Sequence, residues 1–293
     1  MQLGINDLTQ NENQEIQRLL AFSQHSPVEL SDLWRMMDIV WDEIGCDSSN
    51  LEPEKISAYY SHPVWTLNGL FIEQDDVSMQ HREAIASWIT NNQFSRVLDY
   101  GGGFGTLARL IAAKDKNIAV DIHEPFPSQL SIAKVKEFSN IHFVGSLDHA
   151  YDCLICIDVL EHIPDPLDLF AKMIEGIKIE GVLVIANCFY PEIKCHLPST
   201  MHFKYTFDQF ASMMGLQVIG KCSGSHATLY KKVVATAINW EKVRKLERLS
   251  RMTFPIKENL SFILNLLRKL TKSVIGPQNF NTLKTRLNSL RIN

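Results

Sequence analysis

Val97-Leu-Asp-Tyr-Gly-Gly-Gly-Phe-Gly-Thr106 joins a short apolar strand to a helix through a turn that holds four glycines in five residues. Glycine lets the backbone turn tightly and lets a ligand lie against it, because no Cβ atom stands in the way. In sheets of parallel strands, ligands bind at the carboxyl ends of the strands. The segment therefore predicts a nucleotide or nucleoside bound at the end of this strand.

Strands alternate with helices on both sides of the glycine turn. We predict strands over residues 96–100, 118–123, 141–144, 152–157, 181–186, 216–219 and 227–230, with helices over 106–114, 128–138, 166–177 and 207–214. This alternation is typical of β-α-β units around a parallel sheet. The bend Ser223-Gly-Ser-His226 is short, which favours an antiparallel last pair. The predicted fold is α/β, a Rossmann-like, doubly wound, mostly parallel seven-stranded sheet with an antiparallel last strand and helical extensions at both ends.

Three regions are predicted along the chain. They are a helical N-terminal region over 1–77, a central domain over 78–236 and a basic amphipathic helical extension over 237–293. Apolar residues at helical spacing predict a helix ending at Gly45, and residues 61–77 predict an irregular connection. Ser78 is the predicted N-cap of a helix over 79–91. Two helix breaks are predicted in the last region, at Pro255 and at Gly276-Pro277.

Composition excludes several classes of protein. The 293 residues are 45% apolar and 21% charged, as in an ordinary globular protein, and no apolar run is long enough to span a bilayer. The start of the sequence lacks the pattern of a secretory signal. We therefore expect a cytoplasmic protein with reduced cysteines, and we expect Cys153 and Cys156 to be core residues rather than zinc ligands.

Charge is unevenly distributed. Residues 241–293 contain twelve Lys and Arg and three Asp and Glu, a balance of +9. Because the whole chain has a net charge of −4, the other 240 residues carry a charge of −13. Such asymmetry suggests a tail with its own partner. The acidic main part makes nucleic acid an unexpected ligand.

The glycine pattern narrows the class of ligand. A dinucleotide fingerprint, G-x-G-x-x-G, would place a third glycine at position 106, which is threonine. The turn also lacks the lysine of a phosphate-binding loop. Both departures indicate a nucleoside ligand without a phosphate.

Two segments resemble a known family. The glycine segment looks like the first motif of class I S-adenosylmethionine-dependent methyltransferases, and Asp158-Val-Leu-Glu-His-Ile-Pro-Asp-Pro166 is similar to the segment after the fourth strand in ubiquinone-biosynthesis O-methyltransferases. The resemblance covers about residues 78–234. It implies S-adenosylmethionine as cofactor and S-adenosylhomocysteine as product. The cofactor-binding residues it implies are Asp99, Tyr100, Gly101, Gly103, Gly105 and Asp158.

An acidic side chain after the second strand is expected to bind the cofactor ribose. A carboxylate there accepts hydrogen bonds from both ribose hydroxyls. Glu124 is favoured because Glu124-Pro-Phe-Pro-Ser resembles the family pattern, and Asp121 is the alternative. The loop after the third strand is expected to contact adenine through Ser146 or Leu147, with Asp148 as a further candidate.

The segment after the fourth strand offers candidate catalytic residues. His162 is the first candidate for the base that deprotonates an acceptor hydroxyl, since His has a pKa near neutrality. Glu161 is expected to face the acceptor, and His202 is a further candidate, with His196 and Tyr205 behind it. The alternative is that Glu161 and His162 only cap the next helix. Upstream aromatic residues are expected to form a lid: Tyr59, Tyr60, His62 and Trp65.

A divalent metal is a further alternative for this segment. Glu161 and His162, joined by His196 or His202, carry suitable ligand atoms. Some relatives with a Glu-x-x-Glu-His pattern use a metal, but here Asp158 stands at the first Glu. Our prediction therefore assigns no metal ligand.

The tail predicts an amphipathic helix. Its apolar residues share one face: Leu260, Ile263, Leu264, Leu267, Leu270 and Val274, with Arg268, Lys269 and Lys272 beside them. Residues 258–275 are thus predicted to contact a membrane surface, with the protein peripheral on the inner face. Packing on the acidic main part and a homodimer interface are the alternatives.

Together these features predict an S-adenosylmethionine-dependent methyltransferase. The expected reaction is O-methylation of a small molecule or of a glycan or lipid-linked acceptor. Two alternatives are a nicotinamide-dependent oxidoreductase and a non-catalytic S-adenosylmethionine-binding recruitment module.

Overall fold

The computed structural model describes residues 8–147, 150–235 and 237–275. The chain divides into two compact units, one up to Trp240 and one from Glu241 onward. Our boundaries at 77/78 and 236/237 stay predictions.

Helices alternate with most of the strands along the chain. The described α-helices are α1 (Gln10–Leu20), α2 (Leu30–Ile44), α3 (Pro53–Tyr60), α4 (Pro63–Ile72), α5 (Asp76–Asn91), α6 (Thr106–Lys114), α7 (Gln129–Val135), α8 (Pro166–Gly176), α9 (Phe207–Met213) and α10 (Trp240–Ile275). Short 3₁₀ turns cover Leu160–His162 and Pro198–Tyr205.

The strands form one seven-stranded sheet in the order β3-β2-β1-β4-β5-β7-β6. They are β1 (Arg96–Tyr100), β2 (Ala119–His123), β3 (Ile141–Phe143), β4 (Tyr151–Ile157), β5 (Ile177–Ala186), β6 (Leu216–Lys221) and β7 (Thr228–Lys232). The first five are parallel to one another, and β7 runs antiparallel to both β5 and β6. The predicted fold class is confirmed.

The centre of the sheet is a continuous apolar core. Val97, Val120, Ile155 and Val184 on four neighbouring strands are all buried and belong to one cluster. Apolar runs of this kind are typical of parallel strands covered by helices on both faces. Because β2, β1, β4 and β5 are parallel, their carboxyl ends meet at one edge of the sheet.

A second apolar cluster joins the N-terminal helices to the glycine turn. Phe104 of that turn is 7% exposed and packs among buried residues of α1 to α4. Gly69 in α4 makes this possible, because a Cβ atom there would lie 2.7 Å from Cδ2 of Phe104 and nearer still to two other atoms of that side chain. The N-terminal helices therefore pack directly against the loop that is expected to bind the ligand.

Two predictions for the N-terminal region are wrong and one is confirmed. Residues 63–72 form α4 rather than an irregular connection, because Pro63 suits the first helical position and the His62 ring accepts a hydrogen bond from the Val64 N–H. The N-cap of α5 is Asp75, whose carboxylate accepts from the Ser78 N–H at 2.7 Å, and not Ser78. The helix ending at Gly45, in a left-handed conformation, is confirmed.

The break predicted at Pro255 is also wrong. Helix α10 continues through Pro255, because helix-favouring residues on both sides outweigh the hydrogen bond that proline removes. Gly276-Pro277 lies outside the described residues. No helix among the described residues is both long and apolar enough to cross a membrane.

The described cysteines are thiols, with no disulfide between them. Cys153 and Cys156 are fully buried in β4, which confirms that they are core residues. Burial raises the pKa of both thiols, so they stay protonated near neutral pH.

Substitution Gly69→Val tests the contact between α4 and the glycine turn. We expect the free energy of unfolding in urea to fall by about 2 kcal/mol, because added atoms in a packed core cost about 1–3 kcal/mol. The matched control is Gly145→Val, since nothing lies within 4 Å of a Cβ atom at that position. An equal effect of the two substitutions would contradict this account of the packing.

Candidate active site

The glycine turn leaves bare backbone at the end of β1. The Gly101 N–H donates to the His123 carbonyl at 2.8 Å, which ties the turn to the end of β2. Gly101 has a φ of +68°, and a Cβ atom there would collide with Val159. Gly105 has a φ of +73° and begins α6. These backbone conformations exclude most side chains, so a ligand can approach the peptide groups directly.

Glu124 lies beside this turn. One of its carboxylate oxygens accepts from the Gly103 N–H at 2.9 Å and the other accepts from the Phe126 N–H at 3.0 Å. Each carboxylate oxygen has two lone-pair positions, so both can accept a further bond. The side chain is half-buried, which leaves it accessible from the cleft.

Asp121 occupies a different position. It is 3% exposed, and its Oδ2 accepts two bonds from the Arg96 guanidinium, at 2.7 and 3.0 Å, and one from the Tyr151 hydroxyl at 3.0 Å. Arg96 begins β1, so this ion pair stands at the other end of the strand from the glycine turn. The geometry therefore favours Glu124 over Asp121 as the acid next to the turn.

Asp99 lies beneath the glycine turn. Its side chain is 4% exposed, and Oδ2 has no hydrogen-bond partner among the described residues. Burial, opposed by Arg82 and aided by Glu124, raises the pKa of Asp99 to about 7. The neighbouring Tyr100 stacks on His123, with ring centroids 4.6 Å apart.

Asp158 follows β4 at the same edge of the sheet. Its φ is +53°, an uncommon conformation for a residue other than glycine, and its N–H donates to the Ala186 carbonyl at 2.9 Å. The side chain is exposed to solvent although protein surrounds it on most sides, as expected at the floor of a cleft. That surrounding protein raises the pKa of Asp158, while His226 and Arg82 act in the opposite direction.

No pattern in the sequence indicates the basic residues around Asp158. Arg82 and His81 come from α5, and His226 comes from the β6–β7 bend. The Nδ1 atoms of His81 and His226 are 2.9 Å apart. Nothing in the sequence signals that these residues meet, because 145 positions separate the two histidines.

Glu161, His162 and His196 converge in the same part of the cleft. One ligand atom from each residue lies within 4.8 Å of the other two. Glu161 is fully buried, and its Oε1 accepts from the Cys188 N–H at 2.7 Å, whereas Oε2 has no partner among the described residues. Burial and then Asp158 raise the pKa of Glu161 to about 8.

Both histidines of this group are held by backbone carbonyls. Nδ1 of His162 lies 3.1 Å from the Cys195 carbonyl, and Nδ1 of His196 lies 2.7 Å from the Tyr190 carbonyl. A carbonyl only accepts, so Nδ1 carries the proton and Nε2 keeps its lone pair. Burial and then His196 lower the pKa of His162 to about 3. Such a weak base holds a proton poorly, which argues against His162 as the sole base.

Two of the four predicted lid residues reach the cleft. The rings of Tyr60 and Trp65 lie 6.1 and 6.3 Å from the ring of His162, and Tyr60 also stacks on Phe126 at 6.1 Å. Tyr59 is instead fully buried in the N-terminal cluster. His62 caps α4 and lies 3.3 Å from Glu15.

His202 is not a member of the cluster formed by Glu161, His162 and His196 among the described residues. It belongs to the turn Pro198–Tyr205, is 3% exposed and packs its ring against Phe203 at 4.0 Å. Tyr205 ends the same turn, with Lys204 Nζ 5.1 Å from its ring centre.

The residues expected to contact adenine are separated by the structure. Ser146 is exposed after β3. Leu147 lies 3.8 Å from the Cβ position of Gly176, where β5 begins, at the opposite edge of the sheet from the glycine turn. A direct contact between Leu147 and a ligand at that turn is therefore unsupported. Asp148 lies outside the described residues.

A cavity of about 350 Å³ opens beside His196. Its lining includes Trp41, Asp38 and Glu192, and includes neither the glycine turn nor Glu124. Of the Glu161, His162 and His196 group, the cavity lining includes only His196.

Comparisons with known proteins agree with the central fold. Residues 76–209 match the family model described as a methyltransferase domain. Among solved structures, the CurJ carbon methyltransferase has a TM-score of 0.54 at 11% identity, covering 76% of this chain and 71% of that chain. At this identity the likeness concerns the fold alone.

Curated relatives share the name ubiquinone biosynthesis O-methyltransferase. The protein of Hydrogenovibrio crunogenus is 30% identical over 97 residues, covering 29% of this chain and 39% of the relative. The protein of Rickettsia akari is 26% identical over 153 residues, covering 47% of this chain and 61% of the relative. The chain thus spans between 39% and 61% of the length of these two relatives.

Substitution Asp99→Asn tests the electrostatics beneath the turn. In the folded state the pKa of Asp99 is about 7 against an ordinary 3.8, so between these values only the unfolded state is ionised. Wild-type stability relative to the variant should therefore fall as pH rises from 4 to 7, by up to about 4 kcal/mol, and then level off.

Urea unfolding of both proteins at pH 4, 5, 6, 7 and 8 measures this difference. Asp121→Asn is the control. It removes the ion pair with Arg96 and should lower the free energy of unfolding, whereas Asp99→Asn should raise it. A constant difference between Asp99→Asn and wild type across this pH range would refute the assignment.

Proposed function

We propose that this chain, whose residues 76–209 form a class I S-adenosylmethionine-dependent methyltransferase domain, transfers the methyl group to an oxygen atom of a small-molecule acceptor. The hydrogen bond between Glu124 and the Gly103 N–H carries the proposal. Through this bond, a carboxylate that can accept further hydrogen bonds lies beside backbone that no side chain covers. A nucleoside without a phosphate needs both features.

The residues at the end of β1 fit the cofactor. Glu124 would accept the ribose hydroxyls, and Gly101, Gly103 and Gly105 would let the nucleoside lie against the backbone. Asp99 and Tyr100 would support this loop from below, and Ser146 would border the adenine. Asp158 would border the methionine part, near the positive Arg82. When bound, S-adenosylmethionine supplies an electrophilic methyl group on a sulfonium.

The acceptor would lie next to Glu161 and His162. Methyl transfer is a displacement at carbon, so it depends above all on holding the acceptor oxygen in line with the methyl group. Tyr60 and Trp65 would exclude water on that side. His202, buried against Phe203, stays a predicted catalytic residue. Glycan and lipid-linked acceptors remain part of the same proposal.

The matched domain also bears on the two alternatives. A dinucleotide-dependent oxidoreductase is disfavoured by Thr106 and by the methyltransferase match over residues 76–209. A non-catalytic recruitment module would need no group like Glu161, His162 and His196 beside the cofactor.

The C-terminal helix supports a proposed contact with a membrane surface. Apolar residues at spacings of three, four or seven positions are 51% to 76% exposed: Leu249, Met252, Ile256, Leu260, Ile263 and Leu270. An exposed apolar stripe in a segment of net charge +9 fits an anionic lipid surface. The side chains of Leu267, Arg268, Lys272 and Val274 lie outside the described residues. We accordingly propose a cytoplasmic protein, peripheral on the inner face, and keep a homodimer as the alternative use of the stripe.

Cofactor binding tests the central proposal. S-adenosylhomocysteine should bind wild type in a calorimetric titration, and Glu124→Gln should bind about 10- to 100-fold more weakly, because a hydrogen bond to a charged group contributes about 1.5–3 kcal/mol. The control Asp121→Asn, which alters the buried ion pair, should keep wild-type affinity.

Two results would refute this proposal. One is unchanged affinity of Glu124→Gln with loss of binding by a folded Asp121→Asn. The other is tight binding of NADH in place of S-adenosylhomocysteine. Circular dichroism of each variant shows that the fold is retained.

Vesicle sedimentation tests the membrane contact. The full chain should bind vesicles of phosphatidylcholine with phosphatidylglycerol, and more salt should weaken binding. Leu260→Asp should bind less than Ser261→Asp, since the two add the same charge at neighbouring positions but only Leu260 lies on the stripe. Equal vesicle binding by both variants would contradict the membrane contact. A dimer that only Leu260→Asp disrupts would favour the homodimer interface instead.

A further inference from the structure

The cavity of about 350 Å³ beside His196 has no role in the proposed binding of the cofactor. Its lining comes from α2, from residues 46–48 and from the segment after β5, and includes no residue of the glycine turn. Pockets of about 300–1,000 Å³ are typical sites for small organic ligands. The cavity is therefore large enough for a second molecule, or for part of one.

The lining of this cavity is acidic. Three carboxylates belong to it, those of Asp38, Asp47 and Glu192, and none of them forms a salt bridge within the part of the chain that the structure describes. The lining also contains Lys194, but the ammonium group of Lys194 is paired with Asp42, outside the lining. The cavity thus keeps a surplus of negative charge that favours a positive ligand.

Asp38 is the most enclosed of the three acids, since the other two are exposed. Its Oδ1 accepts from the Lys194 N–H at 2.7 Å, and no hydrogen bond to Oδ2 is formed by the described residues. Burial raises the pKa of Asp38, while the Lys194 N–H acts in the opposite direction. A partly buried carboxylate oxygen without a partner is stabilised by a positive hydrogen-bond donor.

Trp41 supplies a hydrogen-bond donor in the wall of the same cavity. Its side chain is only 4% exposed, and no described residue accepts a hydrogen bond from its indole N–H. A buried indole N–H usually has a partner. An oxygen atom of a ligand would provide one, so the wall of the cavity suits a ligand that has both a positive charge and an oxygen atom.

The arrangement of the acids favours an organic cation over a metal ion. Among the described residues of the lining, no three Asp, Glu, His or Cys ligand atoms lie within 4.8 Å of one another. A primary ammonium group has three N–H donors and can bond to acceptors that lie apart. It also leaves room for the rest of a molecule in a cavity of this size.

His196 connects the cavity to the proposed position of the acceptor. It belongs to the lining, and the centre of its ring lies 4.9 Å from the centre of the His162 ring. An acceptor whose oxygen lies next to Glu161 and His162 would therefore extend past His196 into the cavity.

We propose that this cavity binds the ammonium group of the methyl acceptor, an inference that rests on the proposed function. The indicated class of acceptor is a small amine that carries hydroxyl groups. Asp38 would accept a hydrogen bond from the ammonium group, and Trp41 would donate one to a hydroxyl oxygen. Asp38 would thus determine specificity for the acceptor without touching the oxygen that receives the methyl group.

Two probes that differ in one group test the cavity. Octopamine carries an ammonium group, an alcohol and a phenol, and its diol analogue has a hydroxyl group in place of the ammonium group. In calorimetric titrations of the full chain at neutral pH, wild type should bind octopamine about 10- to 100-fold more tightly than the diol, because hydrogen bonds between charged groups are the stronger ones.

Substitution Asp38→Asn should reduce this preference about 10-fold and leave the affinity for the diol nearly unchanged. Asparagine keeps the size of the side chain and an acceptor for the Lys194 N–H, so the variant should remain folded, as circular dichroism would show. The matched control is Glu43→Gln, which removes one negative charge from the same helix but outside the cavity lining. This control should bind both probes as wild type does.

Three results would overturn the proposal. They are the absence of octopamine binding by wild type, equal affinity of wild type for the two probes, and a preference for octopamine that a folded Asp38→Asn retains. A loss of preference that is equal in Glu43→Gln and Asp38→Asn would also overturn it, because the effect would then come from net charge and not from the cavity.

Titration of S-adenosylhomocysteine into the same proteins separates the two proposals. Binding of S-adenosylhomocysteine without a preference for octopamine would overturn only the ammonium site. A preference that depends on Asp38, without binding of S-adenosylhomocysteine, would leave the ammonium site standing and overturn the methyltransferase function.

Discussion

The turn over residues 101–105 exists only because glycine accepts backbone conformations that a side chain would forbid. Gly101 and Gly105 both have positive φ angles, and a Cβ atom at Gly101 would collide with Val159 of the segment after β4. The turn therefore fixes how closely the ends of β1 and β4 approach. Glu124 then ties the turn to the end of β2 through the Gly103 N–H. Three neighbouring strands thus present their carboxyl ends to one cleft.

The N-terminal helices depend on the same turn. Phe104 points away from the cleft into their apolar cluster, and Gly69 gives its ring room. Glu73, just after α4, adds polar contacts to Thr106, Arg109 and Lys134 on α6 and α7. The helices are consequently held against the cofactor side of the sheet, and this places Tyr60 and Trp65 next to His162.

Much of this architecture follows from local patterns in the sequence. The alternation of strands and helices, the glycine turn and the acid at Glu124 could be predicted because each depends on residues that are near in the chain. Helix α4 could not be predicted, because the dipeptide His62-Pro63 at its start is equally typical of a turn. The meeting of Arg82 and His226 with Asp158, and of His196 with Glu161, arises from tertiary packing. Leu147 is expected near the ligand because it follows β3 in sequence. The loop instead carries it toward the opposite edge of the sheet.

The charge of the cleft supports the proposed methyl transfer. Two acids, Glu124 and Asp158, lie around the cleft, and Arg82 offsets part of the charge of Asp158. S-adenosylmethionine carries a positive sulfonium that S-adenosylhomocysteine lacks, so an acidic cleft attracts the reactant more than the product. The low local dielectric constant strengthens this difference. In the proposed reaction, methyl transfer would remove one positive charge from the cleft and so weaken the binding of the product.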